Sequence, residues 1–219
     1  MEKFKGVVFD FNGTLLWDTR LHNEAWDIFL SRHRISLSDQ QKNEVIHGRN
    51  NSLIIPGLFG PGLTGEEIRR FIYQKESIYQ ELCFKKGIDY APGARDFICY
   101  LKSGKIRYSI ATASGRENVD FYFERLGLGS LIDREYVIYD NNRIKSKPDP
   151  EIFQIAINKL GLENDDVVIF EDSYAGILAA QHAKPGKIII VNSTQADYSD
   201  FKHQVITSFD EVDRSIFSL

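Results

Sequence analysis

Four short stretches hold side chains whose types and order could do chemistry: Asp10-Phe11-Asn12-Gly13-Thr14, Thr112-Ala113-Ser114-Gly115, Lys147-Pro148-Asp149-Pro150 and Glu171-Asp172-Ser173. A carboxylate such as Asp10 can attack phosphorus and form an aspartyl-phosphate, which splits one hard displacement into two easier ones. Alone, it repels a phosphate dianion: two unit charges about 4 Å apart cost about 4 kcal/mol at an effective dielectric of about 20. A divalent cation held by both partners removes that obstacle. Mg²⁺ takes hard oxygen ligands, and Asp10 and Asp172 are the evident carboxylates. Lys147 is a compact cation suited to a phosphate and to Asp10. The charges of Asp10, Glu171 and Asp172 are then balanced by Mg²⁺ and Lys147 together, which leaves a neutral site ready for an anion. Thr112 offers a hydroxyl donor to a phosphate oxygen, and backbone amides near Ala113 and Ser114 extend that cradle. Each stretch also has a plain structural alternative. Asp10 and Thr112 could close turns, Glu171-Asp172 could cap a helix, and Lys147 could be a surface residue ahead of a Pro-initiated helix.

The elements that must position these groups are short apolar runs alternating with helical patterns. The runs are Val7-Val8-Phe9, Tyr108-Ser109-Ile110-Ala111, Tyr136-Val137-Ile138, Val167-Val168-Ile169-Phe170 and Ile188-Ile189-Ile190-Val191. Runs apolar on both faces suit buried parallel strands. Helical stretches are read around Phe97 and Leu101, over Val119 to Leu126, over Pro150 to Leu160 and over Ala175 to Ala183. The alternation predicts an α/β fold, a doubly wound and mostly parallel sheet. In such sheets ligands bind beyond the carboxyl ends of the strands. That is where Asp10, Thr112 and Glu171-Asp172 fall. The stretch from Leu16 to Ile88 breaks the rhythm with helical patterns only. It predicts an inserted α-helical unit at residues 17–88, with a Gly/Pro-rich bend at Pro56–Gly62, between core segments 1–16 and 89–219.

This ordered set resembles the haloacid dehalogenase (HAD) superfamily, and the insertion is similar to the helical cap of its β-phosphoglucomutase-like subgroup. The resemblance implies an HAD-like Rossmannoid core and a Mg²⁺-dependent phosphatase. Asp10 would be the nucleophile and Lys147 and Asn12 would share the catalytic positions. Asp10, the Asn12 carbonyl, Asp172 and Glu171 would lie at the metal, and Thr112, Ala113, Ser114 and Lys147 at the phosphate. A sugar-phosphate mutase and a catalytically weak binder of phosphorylated metabolites are the competing readings.

Position 12 departs from the family pattern. The residue two after the nucleophile is usually an Asp that moves protons to and from the leaving oxygen, and an amide cannot do this at neutral pH. General acid–base catalysis typically contributes about 10²–10⁴-fold. Three explanations stand open: a substrate with a good leaving group, a proton supplied by His22 or His47, or an introduced substitution. Asn12 also argues against a true phosphoglucomutase, which needs the relay in both half-reactions. Neither the Tyr of the dehalogenase branch nor a cap lysine matching the phosphonatase branch is recognised.

In the insertion, His22 and Trp26 share a helix face at i, i+4, and Arg49 in His47-Gly48-Arg49-Asn50-Asn51 could grip a substrate anion. These are the candidate substrate contacts, although the mutase pattern places its Arg where Asn51 stands. A net charge of −4 argues against nucleic acid as a partner. No apolar run has the length of a signal segment or membrane span. Cys83 and Cys99 lack metal-ligand spacing and are expected to be buried thiols. The expectation is a cytoplasmic monomer acting on a small phosphorylated substrate.

Overall fold

A computed structural model describes residues 3–218. Its centre is a six-stranded, wholly parallel sheet in the order β3-β2-β1-β4-β5-β6. The strands are β1 (Gly6–Phe9), β2 (Arg107–Gly115), β3 (Val137–Asp140), β4 (Val167–Glu171), β5 (Lys187–Val191) and β6 (Gln204–Ile206). The first, fourth and fifth of the predicted apolar runs are β1, β4 and β5. β3 lies one to two residues later than its apolar run, and β6 carries no run long enough to announce it.

Period-two alternation sends successive side chains to opposite faces. Val7, Phe9, Val168, Phe170 and Ile189 join one apolar core, while Val8, Val167, Ile169 and Ile188 join the other. On the first face α5 (Ala94–Ser103) packs Phe97 against Phe9 and Phe170, with ring centroids 6.1 and 5.6 Å away. On the second lie α7 (Glu151–Leu160), through Ile152, Phe153, Ala156 and Ile157, and α8 (Tyr174–Ala183), through Ala179, Ala180 and Ala183. With α6 (Arg116–Arg125) following β2, the sheet is doubly wound.

Between β1 and α5 lie α1 (Thr19–Arg32), α2 (Asp39–Val45), α3 (Asn51–Phe59) and α4 (Gly65–Lys86). The chain leaves and re-enters the sheet through two adjacent segments: the Trp17 amide donates to Asp89 O at 3.0 Å and the Ala91 amide to Leu15 O at 2.8 Å. Capping boxes start α2, with Ser38 and Gln41, and α4, with Thr64 and Glu67. The expected bend at Pro56–Gly62 is corrected. Pro56 and Gly57 lie inside α3, and the chain turns only from Gly60. Pro56 sits six residues into a short helix whose residues Ile54 and Ile55 are buried, so tertiary packing overrides the local breaker. The thiol expectation is corrected in half: Cys83 is buried, Cys99 is exposed, and both are free.

Candidate active site

Asp10 follows the last residue of β1, and its amide donates to Phe170 O on β4 at 2.9 Å. This ties the two strand tips together. One carboxylate oxygen from each of Asp10, Glu171 and Asp172 can be chosen so that all three lie within 4.8 Å of one another. Lys147, ahead of α7, is 1% exposed and bridges Asp10 Oδ1 at 2.6 Å and Glu171 Oε1 at 2.7 Å. Thr14 Oγ1 donates to Asp172 Oδ1 at 3.1 Å.

Two glycines make this convergence possible. Gly13 has φ +84°, and a Cβ there would lie 2.1 Å from Asp172 Oδ2. At Gly176 a Cβ would come within 1.7 Å of Glu171 Oε1. The helix cap at this corner is Ser173, whose Oγ accepts from the Gly176 amide at 3.1 Å. Asp172 is therefore not consumed in capping, whereas Glu171 Oε2 braces the cap by accepting from the Ser173 amide at 2.6 Å and its hydroxyl at 3.1 Å.

Burial raises the Asp10 pKa to about 7, against the pull of Lys147 and with the push of Glu171. Asp172 is also driven upward, by burial and then by Glu171 and Asp10. Burial opposes the Lys147 ammonium, but Asp10 and Glu171 outweigh it and hold its pKa above the usual range. Asp10 and Asp172 are thus both pushed towards their neutral forms, and a further cation beside them would favour the charged ones. The donor set is all oxygen, and a hard divalent ion fits it.

Facing this cluster is a pocket of about 100 Å³ lined on the sheet side by Asp10, Asn12, Ala113, Ser114 and Asp172. The helical wall supplies His22, Trp26, His47, Arg49, Lys75 and Glu76. Lys147, Glu171 and Thr112 stand behind this surface, nearly inaccessible. The Thr112 hydroxyl donates to Asn12 Oδ1 at 3.2 Å and accepts from the Ser114 amide at 3.1 Å.

Asn12 is fully engaged. Its Nδ2 donates to Asp18 Oδ2 at 2.6 Å and to Tyr122 OH at 2.8 Å, while its Oδ1 accepts from Thr112 Oγ1 and from Ser114 Oγ at 2.8 Å. Asp18, with no accessible surface, also accepts from Tyr79 OH at 2.6 Å and from the Gly13 amide at 3.0 Å. An acceptor-only Asp18 fixes which way the amide points.

The helical wall holds what the sequence reading missed. Lys75, 2% exposed on α4, reaches His22 Nδ1 at 2.9 Å and Glu76 Oε1 at 2.9 Å. Glu76 further accepts from Asn51 at 2.5 Å and from Asn118 of α6 at 2.7 Å. Burial opposes the Glu76 charge, but Lys75 and His22 overcome it and lower its pKa. So the insertion does contain a lysine at the site, which the sequence reading did not recognise. A Lys-Glu pair on a helix whose other buried residues are apolar gives only a weak signal. His22 stacks on Tyr79 with centroids 3.8 Å apart, and its Nε2 lies 3.3 Å from Asp18 Oδ2. His22 thus stands between Lys75 and Asp18, with both ring nitrogens occupied. Arg49 lines the pocket with its Nε buried and without a partner.

A family model of haloacid dehalogenase-like hydrolases matches residues 4–184. The chain belongs to this family. Among curated HAD relatives, β-phosphoglucomutase of Bacillus subtilis is 31% identical over 186 residues, covering 82% of this chain and 80% of that protein. The phosphorylated carbohydrates phosphatase of Thermotoga maritima is 26% identical, covering 82% and 81%. A HAD hydrolase of family IA, variant 3, from Entamoeba histolytica superposes with a TM-score of 0.84 at 29% identity, covering 99% of this chain and 97% of that one. The resemblance read from the four motifs is thus the family found, and the parallel core with helices inserted after β1 is its fold. As a HAD-like hydrolase the chain is an enzyme of a family whose named relatives include phosphatases and a sugar-phosphate mutase. Among the described residues no helix is long and apolar enough to cross a membrane.

Proposed function

We propose that this protein is a Mg²⁺-dependent phosphatase of small phosphorylated metabolites that works through an aspartyl-phosphate at Asp10. The observation that carries the reading is the bridge of Lys147 to Asp10 and Glu171, at 2.6 and 2.7 Å, beside Asp172. That arrangement leaves Asp10 at the pocket surface and packs its counter-charge behind it. Asp10, Glu171, Asp172 and the Asn12 carbonyl would hold the cation, which supplies charge neutralisation between nucleophile and phosphate. Ser114 and the Ala113 and Ser114 amides would receive the phosphate oxygens, joined by Thr112 once its hydroxyl leaves Asn12. Residues 17–88 would act as the cap, excluding water from the site. A pocket of about 100 Å³ suits a phosphoryl group with a short carbon skeleton. His22 and Arg49 would face the substrate's distal end.

The Bacillus subtilis relative supports a second reading, a sugar-phosphate mutase. Asn12, bonded through all its donors and acceptors, weighs against it.

The test is a panel of small phosphate esters with and without Mg²⁺, run on wild type, Asp10→Asn and Asn12→Asp. Phosphate release that needs both Mg²⁺ and Asp10 supports the phosphatase. Interconversion of sugar phosphate isomers without release would replace it by the mutase. No turnover of any ester by wild type would sink both.

A further inference from the structure

Asn12-Gly13 is the one Asn-Gly dipeptide in the sequence. This is the pair in which a backbone nitrogen most readily closes on the preceding side-chain amide, because glycine has no Cβ to block the approach. In most folded sites the groups around such a pair do nothing to assist. Here they are placed as catalysts of that reaction. The Gly13 N–H, the prospective nucleophile, donates to Asp18 Oδ1 at 3.0 Å as well as to Leu16 O at 2.7 Å. The Asn12 Nδ2, the prospective leaving group, lies 2.6 Å from the other oxygen of the same carboxylate. The Asn12 Oδ1, which must carry the developing negative charge, accepts from Ser114 Oγ at 2.8 Å and Thr112 Oγ1 at 3.2 Å. The Asp18 carboxylate and a two-donor oxyanion site therefore flank one amide group.

We propose that Asn12 is a self-modification site, deamidated by its own surroundings to Asp. Asp18 takes the Gly13 amide proton at Oδ1, and the nitrogen bonds to Asn12 Cγ. The Cγ–Nδ2 bond breaks as the same proton passes from the Asp18 carboxyl to Nδ2, so that ammonia leaves. Water from the pocket, which Asn12 lines, then adds to Cγ of the succinimide. The Cγ–N bond opens, the Gly13 nitrogen regains its proton and the main chain is restored. Net, the amide and one water give a carboxyl and ammonia, with no oxidant or reductant. The new carboxyl stands where the amide was, beside Asp18 and on the pocket wall. It would be a proton carrier at the pocket wall, two residues from Asp10. That consequence, though not the modification itself, rests on the phosphatase reading.

The test follows the peptide spanning Asn12 by mass spectrometry in heavy-oxygen water at neutral pH. Folded protein is compared with the same chain unfolded in urea. The expected result is conversion to Asp with label uptake, faster in the folded protein than in urea. Asp18→Asn should slow the folded rate by about 100-fold, the usual size of an acid–base contribution. If that variant does not fold, Ser114→Ala reports the oxyanion contact instead and should also slow the reaction. Asn12 remaining an amide in the folded protein while it converts in urea overturns the proposal. So does isoaspartate as the main product, since the added main-chain carbon would break the Gly13 contacts. Phosphate release recorded on the same samples separates the two readings. Conversion without any gain in turnover retains the modification and removes only its catalytic consequence.

Discussion

The two walls of the pocket are both charged and buried, yet they are built by opposite logic. On the sheet wall Asp10, Glu171 and Asp172 outnumber Lys147; burial first, and then the neighbouring carboxylates, raise the pKa of Asp10 to about 7 and that of Asp172 upward. On the helical wall Lys75 and Glu76 cancel, Asn51 joins Lys75 on Glu76 Oε1, and Asn118 donates to Oε2. The first wall has the donor set for a cation; in the second the Lys75–Glu76 pair is complete as it stands, while Arg49 Nε is without a partner. A wall left short of charge can bind and react, whereas a balanced one positions and encloses. Each wall should therefore fail in its own way when a charge is removed.

The largest effect is expected at Asp10, the proposed nucleophile. Asp10→Asn should lower Mg²⁺-dependent phosphate release by at least about 10⁴-fold, the scale on which loss of a covalent nucleophile is felt. A circular dichroism spectrum unchanged from wild type would show that the sheet is intact. Next comes the counter-charge. Lys147→Ala leaves Asp10 and Glu171 facing one another without their bridge, and breaking a buried pair typically costs about 3–5 kcal/mol. Urea denaturation should show that loss, with part of it restored by Mg²⁺. Equal instability with and without Mg²⁺ would mean that the sheet wall does not await a cation.

The same difference explains what could be read from the residues alone. Asp10, Thr112 and Glu171-Asp172 follow apolar runs, so strand-end logic located them without a structure. Gly13 lies in the first of these stretches, and its φ of +84° makes the tight exit from β1. Lys75 and Glu76 sit inside a helical pattern whose register was set by Ile68, Ile72, Ile78 and Leu82, and nothing local distinguishes them from a solvated pair. Their burial is decided by α1 and α6, which approach from distant parts of the chain. The role of Asp18 in fixing Asn12 depends on Tyr79 and Tyr122, 61 and 104 positions away, which no local pattern shows. Pro56 misled because a helix breaker was weighed without the packing of Ile54 and Ile55.

On the helical wall the expected effects are smaller. Glu76→Gln keeps the shape and an acceptor oxygen for Lys75 but removes the opposing charge, and should cost about 1.5–3 kcal/mol of stability, the usual worth of a hydrogen bond to a charged group. Its kinetic signature should be a raised KM with kcat little changed, because Glu76 encloses the pocket and does not react. A loss of kcat comparable to that of Asp10→Asn would erase the distinction between the walls.

The smallest effect is in the pH dependence of the same wall. Burial first, then His22, Lys42 and Lys75, lower the pKa of His47 to about 4 from its usual 6.5. The unfolded chain therefore binds a proton at His47 as the pH falls through 6.5, and the folded chain does not until about 4. Between those values the unfolded state holds more protons, so His47 stabilises the fold above the window and loses that contribution as the pH falls through it. Glu76 acts with the same sign but only below its ordinary value of 4.5. Asp10, raised to about 7, acts with the opposite sign across the same window. A single stability curve would mix these terms, whereas the difference between wild type and His47→Gln isolates one of them. That difference should be constant above about pH 7 and should shift in favour of His47→Gln as the pH falls towards 4. A difference that does not change with pH would mean that His47 meets water freely and that the helical wall is open where it is drawn closed.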